Sequence, residues 1–409
     1  MTDLPLVSGP DFPIGIYWPP PPEETTAARY QEIAAAGFTF VITGNYLDDG
    51  NIIGWALKQA DAAGLKVLVF EDTQLLNLTR WFSISDDRTV PMSISTADGA
   101  ELIRRVESAY GPHPSLAGYN LFDEPDYGKF DTVGKAFQLI RQIAPGRLPY
   151  ANLLPDLGRP PGDYPNYVEQ FCQTVQPSLI SFDRYPMLSA AGSFDTDYFG
   201  NWVDIRGAGL RHNLPTWTYI QAVGTNWYRI PSSAEMLWLI NVSLSYGCKG
   251  IQYFTYWQPD PARGEGFQPA LMDVTGQQTT RYQAAKTINT GWLRPVGREL
   301  KPLVSERVVH FDDPADPAKV ASFTPDAYVA SVAGAPVILG QFTGGGPGRW
   351  LLVTNRSFSA SSTTQLWFGP SVSAVTLFDP GSQTYRAVRD SSTVTAMLPA
   401  GGAALYRVQ

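Results

Sequence analysis

The chain has 409 residues, more than one ordinary domain uses, and 44% of them are hydrophobic, enough to bury a sizeable core. Its formal net charge is −8, with no long acidic or basic block and no basic patch interleaved with aromatics, which argues against nucleic acid as a partner. The longest apolar runs, such as 66–70, are strand-length, so no membrane partner is expected. The N-terminal residues lack a basic stretch followed by an apolar segment, so the chain is either intracellular or carries a trimmed signal, with secretion slightly favoured.

From about residue 12 to 304, short β-type runs alternate with amphipathic helical stretches. Strands are predicted at 14–18, 38–43, 66–70, 118–122, 150–154, 179–182, 216–220 and 251–256. Helices between them include 26–36, 52–63, 97–110, 133–143 and 233–246. Ala36-Gly37, Ala63-Gly64 and Tyr246-Gly247 stand where these helices end, and glycine takes a left-handed C-cap at little cost. Eight β/α units in strict alternation predict an α/β fold, a closed (β/α)8 TIM barrel rather than an open doubly wound sheet. No glycine-rich nucleotide motif competes with that reading.

After about residue 305 the helical period stops. Runs at 328–332, 337–342, 350–354, 364–368, 374–378 and 404–408, separated by Gly, Pro, Ser and Asp turns, predict a C-terminal all-β sandwich. The expected division is a barrel over 1–304 and a sandwich over 305–409. Thr343-Gly-Gly-Gly-Pro-Gly348 reads as a hairpin connection, since no helix follows to make a phosphate loop. Cys172 and Cys248 fall in or beside helices and read as buried free thiols. His113, His212 and His310 lack metal-ligand spacing, so neither metal nor cofactor is expected.

In a parallel barrel, side chains at the C-terminal strand ends line one mouth. Here those ends offer Tyr17 and Trp18, Tyr46, Glu71, Asp123 and Glu124, Asn152, Asp183 and Tyr185, Gln221, and Tyr256 and Trp257. Carboxylates and amides hydrogen-bond hydroxyls while aromatic rings stack on the C–H face of a sugar, so a mouth lined this way suits a polyhydroxylated, uncharged ligand. The matching chemistry is glycoside hydrolysis, which needs one protonated carboxyl and a second, ionised one. Asp123 beside Glu124 raises the Glu124 pKa if the two share a side, although successive strand residues point to opposite faces. The competing reading of Glu124 is a cap on the next helix. Trp227 is a further candidate sugar platform. Glu265, in the loop after the eighth strand, either reaches the mouth or, the preferred reading, is solvated, and Glu235 is expected to be structural in the first turn of a helix.

Three stretches carry a family resemblance. They are Gly118-Tyr-Asn-Leu-Phe-Asp-Glu-Pro125, Ile180-Ser-Phe-Asp-Arg-Tyr-Pro186, and Pro231-Ser-Ser-Ala-Glu-Met236 running on to Tyr246-Gly-Cys-Lys-Gly-Ile-Gln-Tyr-Phe-Thr-Tyr-Trp257. Over about 12–300 the chain resembles the barrel glycoside hydrolases of the clan that holds family 42 β-galactosidases and retaining cellulases. It is closer still to loosely characterised hydrolases carrying Asp-Glu-Pro on the fourth strand. The resemblance implies that Glu124 takes the acid/base position. It also implies a glutamate nucleophile at the end of the seventh strand, where this chain has Gln221, an amide that cannot act. Asp183, or Glu71 or Asp72, then serves as the second carboxylate, or the chain only binds carbohydrate. Asp183 is the preferred choice, because it stands in an otherwise apolar strand. Its competing reading is an ion pair with a barrel arginine or a bond that holds a loop.

Overall fold

Strands with no exposed face need cover on both sides, and a parallel barrel ringed by helices supplies it. Ile14–Tyr17 (β1), Phe40–Ile42 (β2), Lys66–Val69 (β3), Leu116–Asp123 (β4), Leu148–Leu153 (β5), Ile180–Phe182 (β6), Thr216–Gln221 (β7) and Gly250–Phe254 (β8) are such strands, buried along nearly their whole length. The computed structural model describes residues 3–157, 162–190 and 194–409. In it the eight strands pair in chain order, and β8 closes on β1 with Ile251 beside Ile14. Met1 and Thr2, part of the stretch read for a leader, lie outside the described residues.

Eight helices clothe the barrel: Ala27–Ala35 (α1), Gly50–Ala63 (α2), Thr96–Tyr110 (α3), Phe130–Ile143 (α4), Asp163–Val175 (α5), Asp197–His212 (α6), Ser233–Ser245 (α7) and Thr280–Ile288 (α8). Side-chain caps start several of them, from Thr26 at α1 to a reciprocal Ser232–Glu235 capping box at α7. Glu235 is therefore structural, and it also pairs with Arg229. Gly64 ends α2 in the left-handed conformation, with φ +68°. Cys172 and Cys248 are free and buried, and burial pushes both thiols up to about 12. Among the described residues no helix is long and apolar enough to cross a membrane.

Nine antiparallel strands follow: Val304–Phe311 (β9), Val329–Gly334 (β10), Val337–Thr343 (β11), Arg349–Asn355 (β12), Ser362–Phe368 (β13), Val375–Asp379 (β14), Thr384–Ala387 (β15), Thr393–Leu398 (β16) and Ala403–Val408 (β17). A six-stranded sheet, β9-β11-β12-β17-β14-β15, faces a three-stranded one, β10-β13-β16, across a core that includes Val337, Leu351, Leu366 and Val394. The glycine-rich segment 343–348 is a hairpin, pairing Phe342 with Trp350. Sequence patterning misses β9, β15 and β16: β15 is short and buries no residue, while β9 and β16 mix polar and apolar residues without a strand-length apolar run.

The sandwich packs on α7, which explains why that helix is apolar all round and buried almost throughout. Trp238 Nε1 donates to the Arg356 carbonyl at 3.1 Å, and Asn241 Nδ2 donates to the Gly401 carbonyl at 2.8 Å. Ile338, Phe342, Leu352 and Leu405 of the sandwich belong to the same apolar cluster as the barrel residues. The barrel's hydrophobic core thus extends into one face of the sandwich, which has a second core of its own between its sheets.

Candidate active site

The C-terminal mouth of the barrel opens into a cavity of about 460 Å³. Strand ends on β1 and β4–β8 furnish its walls, with the loops after β5, β7 and β8 forming its rim. The chain leaves four consecutive strands through left-handed, non-glycine residues: Trp18 (φ +63°), Asn45 and Tyr46 (+56° and +66°), Glu71 (+62°) and Glu124 (+55°). Such backbone is costly for an L-residue and clusters where side chains must be aimed.

Glu124 is exposed on the cavity wall, while protein atoms crowd it from behind. Its N–H donates to the Asn152 carbonyl at 2.8 Å, which extends the β4–β5 pairing past Asp123 and fixes the residue at the strand end. It caps no helix; the next one starts after Asp126. Asp183 lies deeper, 9% exposed, and lines the same cavity, near enough to Glu124 for each carboxyl to shift the other's protonation. Asn152 Nδ2 donates to Asp183 Oδ1 at 2.7 Å, and the Asn152 oxygen in turn accepts from Ser181 Oγ at 2.9 Å. Among the described residues no ion pair holds Asp183: the neighbouring Arg184 instead binds Asp195, at 2.5 Å.

Asp123 shares this cavity with Glu124. Simple alternation would place the two on opposite faces. A register irregularity between Asn120 and Phe122, followed by the left-handed Glu124, overrides it. Burial pushes the Asp123 carboxyl up to about 7, aided by the Glu124 and Glu71 charges and opposed by Arg80 and a hydrogen bond from Asn152. Burial also raises Glu124, against the hydrogen bond from Asp183. It lifts Asp183 well above the usual carboxylate range, and the charges of Glu124 and Asp123 add to that. Neighbouring carboxyls of this kind hold a proton to higher pH, because double ionisation is disfavoured.

Aromatic rings complete the walls. Tyr17 stacks on Phe254 with centroids 5.8 Å apart, and Tyr185 stacks on the same Phe254 at 5.1 Å. Burial holds the Tyr17 and Tyr185 hydroxyls well above their ordinary range, so both remain O–H donors. Trp227, 60% exposed, stands at the rim.

Of the residues anticipated from the sequence, Tyr17, Trp18, Asp123, Glu124, Asn152, Asp183 and Tyr185 come together around the cavity. Glu71 stands behind the lining; burial raises its carboxyl, with Arg80 and Arg263 opposing. The other four lie elsewhere. Tyr46 points to solvent, 52% exposed. Tyr256 is fully buried against Phe38 and Tyr282, and Trp257 lies under the Arg29 guanidinium at 5.2 Å, because the chain turns away from the mouth after Thr255. Gln221 is enclosed: its oxygen accepts from Met187 N, and its Nε2 donates to the Met187 and Arg229 carbonyls, at 2.8 to 3.1 Å. Its amide brackets two loops, with both N–H donors spent on backbone carbonyls, and it does not line the cavity. Glu265, expected in solvent, lines the rim and pairs with Arg263 at 3.0 Å, while Arg263 covers the Trp18 ring at 4.9 Å. Tyr219, Tyr228 and Phe254 also line the cavity. Alternation along β7 signals Tyr219; the loop residues carry no comparable signal.

No protein-family profile matches the chain, and no curated protein matches it. Solved structures do. A family 5 glycoside hydrolase from Bacteroides vulgatus aligns with 97% of this chain and 88% of its own at TM-score 0.56 and 10% identity. A family 39 glycoside hydrolase from the gut symbiont Bacteroides cellulosilyticus aligns over 99% and 83% at TM-score 0.52 and 13% identity. A further glycoside hydrolase aligns over 100% and 98% at TM-score 0.54 and 10% identity. At these identities the similarity is one of fold: the barrel followed by a β-sandwich recurs among glycoside hydrolases.

Proposed function

We propose that this protein is a glycoside hydrolase that cleaves O-glycosidic bonds of a neutral oligo- or polysaccharide without metal or cofactor. The observation that carries the reading is the Glu124–Asp183 couple, two carboxyls that line one aromatic-walled cavity at the barrel mouth. Glu124 gives the proton to the leaving oxygen as general acid. Asp183 is the second carboxylate: ionised, it attacks the anomeric carbon or activates the water that does, as the bond to the protonated leaving oxygen breaks, and a proton from that water restores the acid. Tyr17, Trp18, Asn152 and Tyr185 hold the sugar. The recurrence of this fold among glycoside hydrolases supports the assignment by analogy.

Retaining enzymes hold their two carboxyls roughly 5 Å apart and inverting ones roughly 6.5 to 9.5 Å apart. The stereochemical outcome is left to measurement. A second reading, a carbohydrate-binding protein on a hydrolase-like barrel, is favoured by Gln221, which stands where the resembling clan carries its nucleophile and is wholly engaged by backbone.

Hydrolysis of a broad panel of aryl glycosides and polysaccharides, with Glu124→Gln beside wild type, separates the two. The enzyme reading expects the variant to lose about 10²- to 10⁴-fold in turnover while sugar binding persists. Binding without turnover in the wild type establishes the second reading. Turnover indifferent to the substitution removes Glu124 from the chemistry.

A further inference from the structure

At the opposite end of the barrel, a second cavity of about 280 Å³ opens between α6, the segments leading into β7 and β8, and the start of β9. Three cationic side chains line it, Arg206, Lys249 and Lys301, and among the described residues the lining has no carboxylate. Their partners are uncharged oxygens. Arg206 donates to Ser305 Oγ at 2.8 Å and to the Ser305 carbonyl at 3.0 Å. Lys249 Nζ donates to the Leu300 and Leu303 carbonyls, both at 2.6 Å, and Lys301 Nζ donates to the Asp11 carbonyl at 2.7 Å. Among the described residues none of the three makes an ion pair.

Burial lowers Lys249 to about 8, and it also lowers Lys301 to about 8, with only the Asp11 charge opposing in the latter. It lowers Arg206 as well. The carbonyls ending the Arg294–Leu300 helix offset part of the Lys249 charge. Asp11 acts on Lys301 alone, the lining itself holds no counter-charge among the described residues, and desolvated charge of one sign is costly until an opposite charge meets it. The Thr216 hydroxyl and the Asn213 amide add neutral polar groups to the same wall.

We propose that this cavity binds a small tetrahedral oxyanion of the phosphate class, held by Arg206, Lys249 and Lys301. Charge-assisted bonds from lysine and arginine suit such a ligand. Arg206 also binds Ser305 at the start of the sandwich, so the site adjoins the junction of the two parts.

The test is thermal melting and calorimetry of the full chain with inorganic phosphate, against chloride at matched ionic strength. The expected result is a saturable rise in Tm with one site per chain. Arg206→Gln and Lys301→Gln should each weaken phosphate affinity by about tenfold or more, since each removes a charged donor. Arg263→Gln, at the other mouth, should leave it unchanged. If Arg206→Gln does not fold, Lys301→Gln still decides, because Lys301 bonds only backbone oxygens. No saturable rise, a rise that survives both variants, or one abolished by Arg263→Gln would overturn the proposal.

Discussion

Asp123 illustrates how a single side chain couples stability to the chemistry beside it. Its carboxyl, raised to about 7 against an ordinary 3.8, binds its proton more tightly in the folded chain than in the unfolded one. That contribution to stability is complete below about pH 3.8 and is lost as pH rises through about 7. Asp123→Asn removes the titration and keeps the shape. The variant should melt higher than wild type at about pH 8, by on the order of 2 kcal/mol, a value discounted for the partial exposure of the group. The difference should shrink toward about pH 4, where Asp123 is protonated in both states. Equal melting at both pH values would show that the site does not resist the charge. Glu124 titrates under the same influences, so a general-acid role predicts activity falling on the alkaline side as its proton is lost.

At the scale of elements, β7 delivers an amide where a catalytic carboxylate would end the strand in the resembling clan, and the niche around Gln221 explains why it stays an amide. Two carbonyls and one N–H face the side chain. Gln221→Glu would set a carboxylate against the Met187 and Arg229 carbonyls with no hydrogen to give them. We expect a loss of about 2 to 4 kcal/mol in denaturant melts and no gain of turnover. A variant as stable as wild type would mean that the bracket does not hold the two loops. The barrel strands were legible in the sequence because a buried parallel strand is a short apolar run between turn signals, and α2 ends at Gly64 where such a signal stands. Carboxylates were legible because they terminate apolar strands. What periodicity could not supply was the β4 irregularity that turns Asp123 and Glu124 into one cavity, or the path by which a loop returns Arg263 and Glu265 to the rim. Tyr256 and Trp257 failed for the matching reason: the run 251–256 continues past the point where the strand ends at Phe254.

The whole molecule is joined by a buried polar cluster as well as by its shared core. Asp313 accepts from Arg356 Nε at 2.6 Å and meets His310 Nδ1 at 2.6 Å, while His310 Nε2 meets the Tyr246 hydroxyl of the barrel at 3.1 Å. Arg356 also lies over the Phe199 ring of α6 at 4.7 Å and the Trp238 ring of α7 at 5.8 Å. Burial works against the Asp313 charge, but hydrogen bonds from His310 and Arg356 and the arginine's charge hold its carboxyl well below the usual range. Its contribution to stability is therefore present above the unfolded carboxylate value and is lost as pH falls through the lower, folded one. Asp313→Asn leaves Arg356 buried without its anion, and removing one member of a buried pair costs about 3 to 5 kcal/mol. Because one apolar cluster spans the barrel and the sandwich, that loss should lower a single melting transition rather than split it. The gap from wild type should be full at neutral pH and should narrow in acid, where Asp313 of the wild type is itself protonated. Two separated transitions in calorimetry would mean instead that the sandwich unfolds independently, with α7 stable in its absence. Turnover measured below the melting range should stay near that of wild type, since the cluster lies at the domain junction and no member of it lines the cavity that holds Glu124.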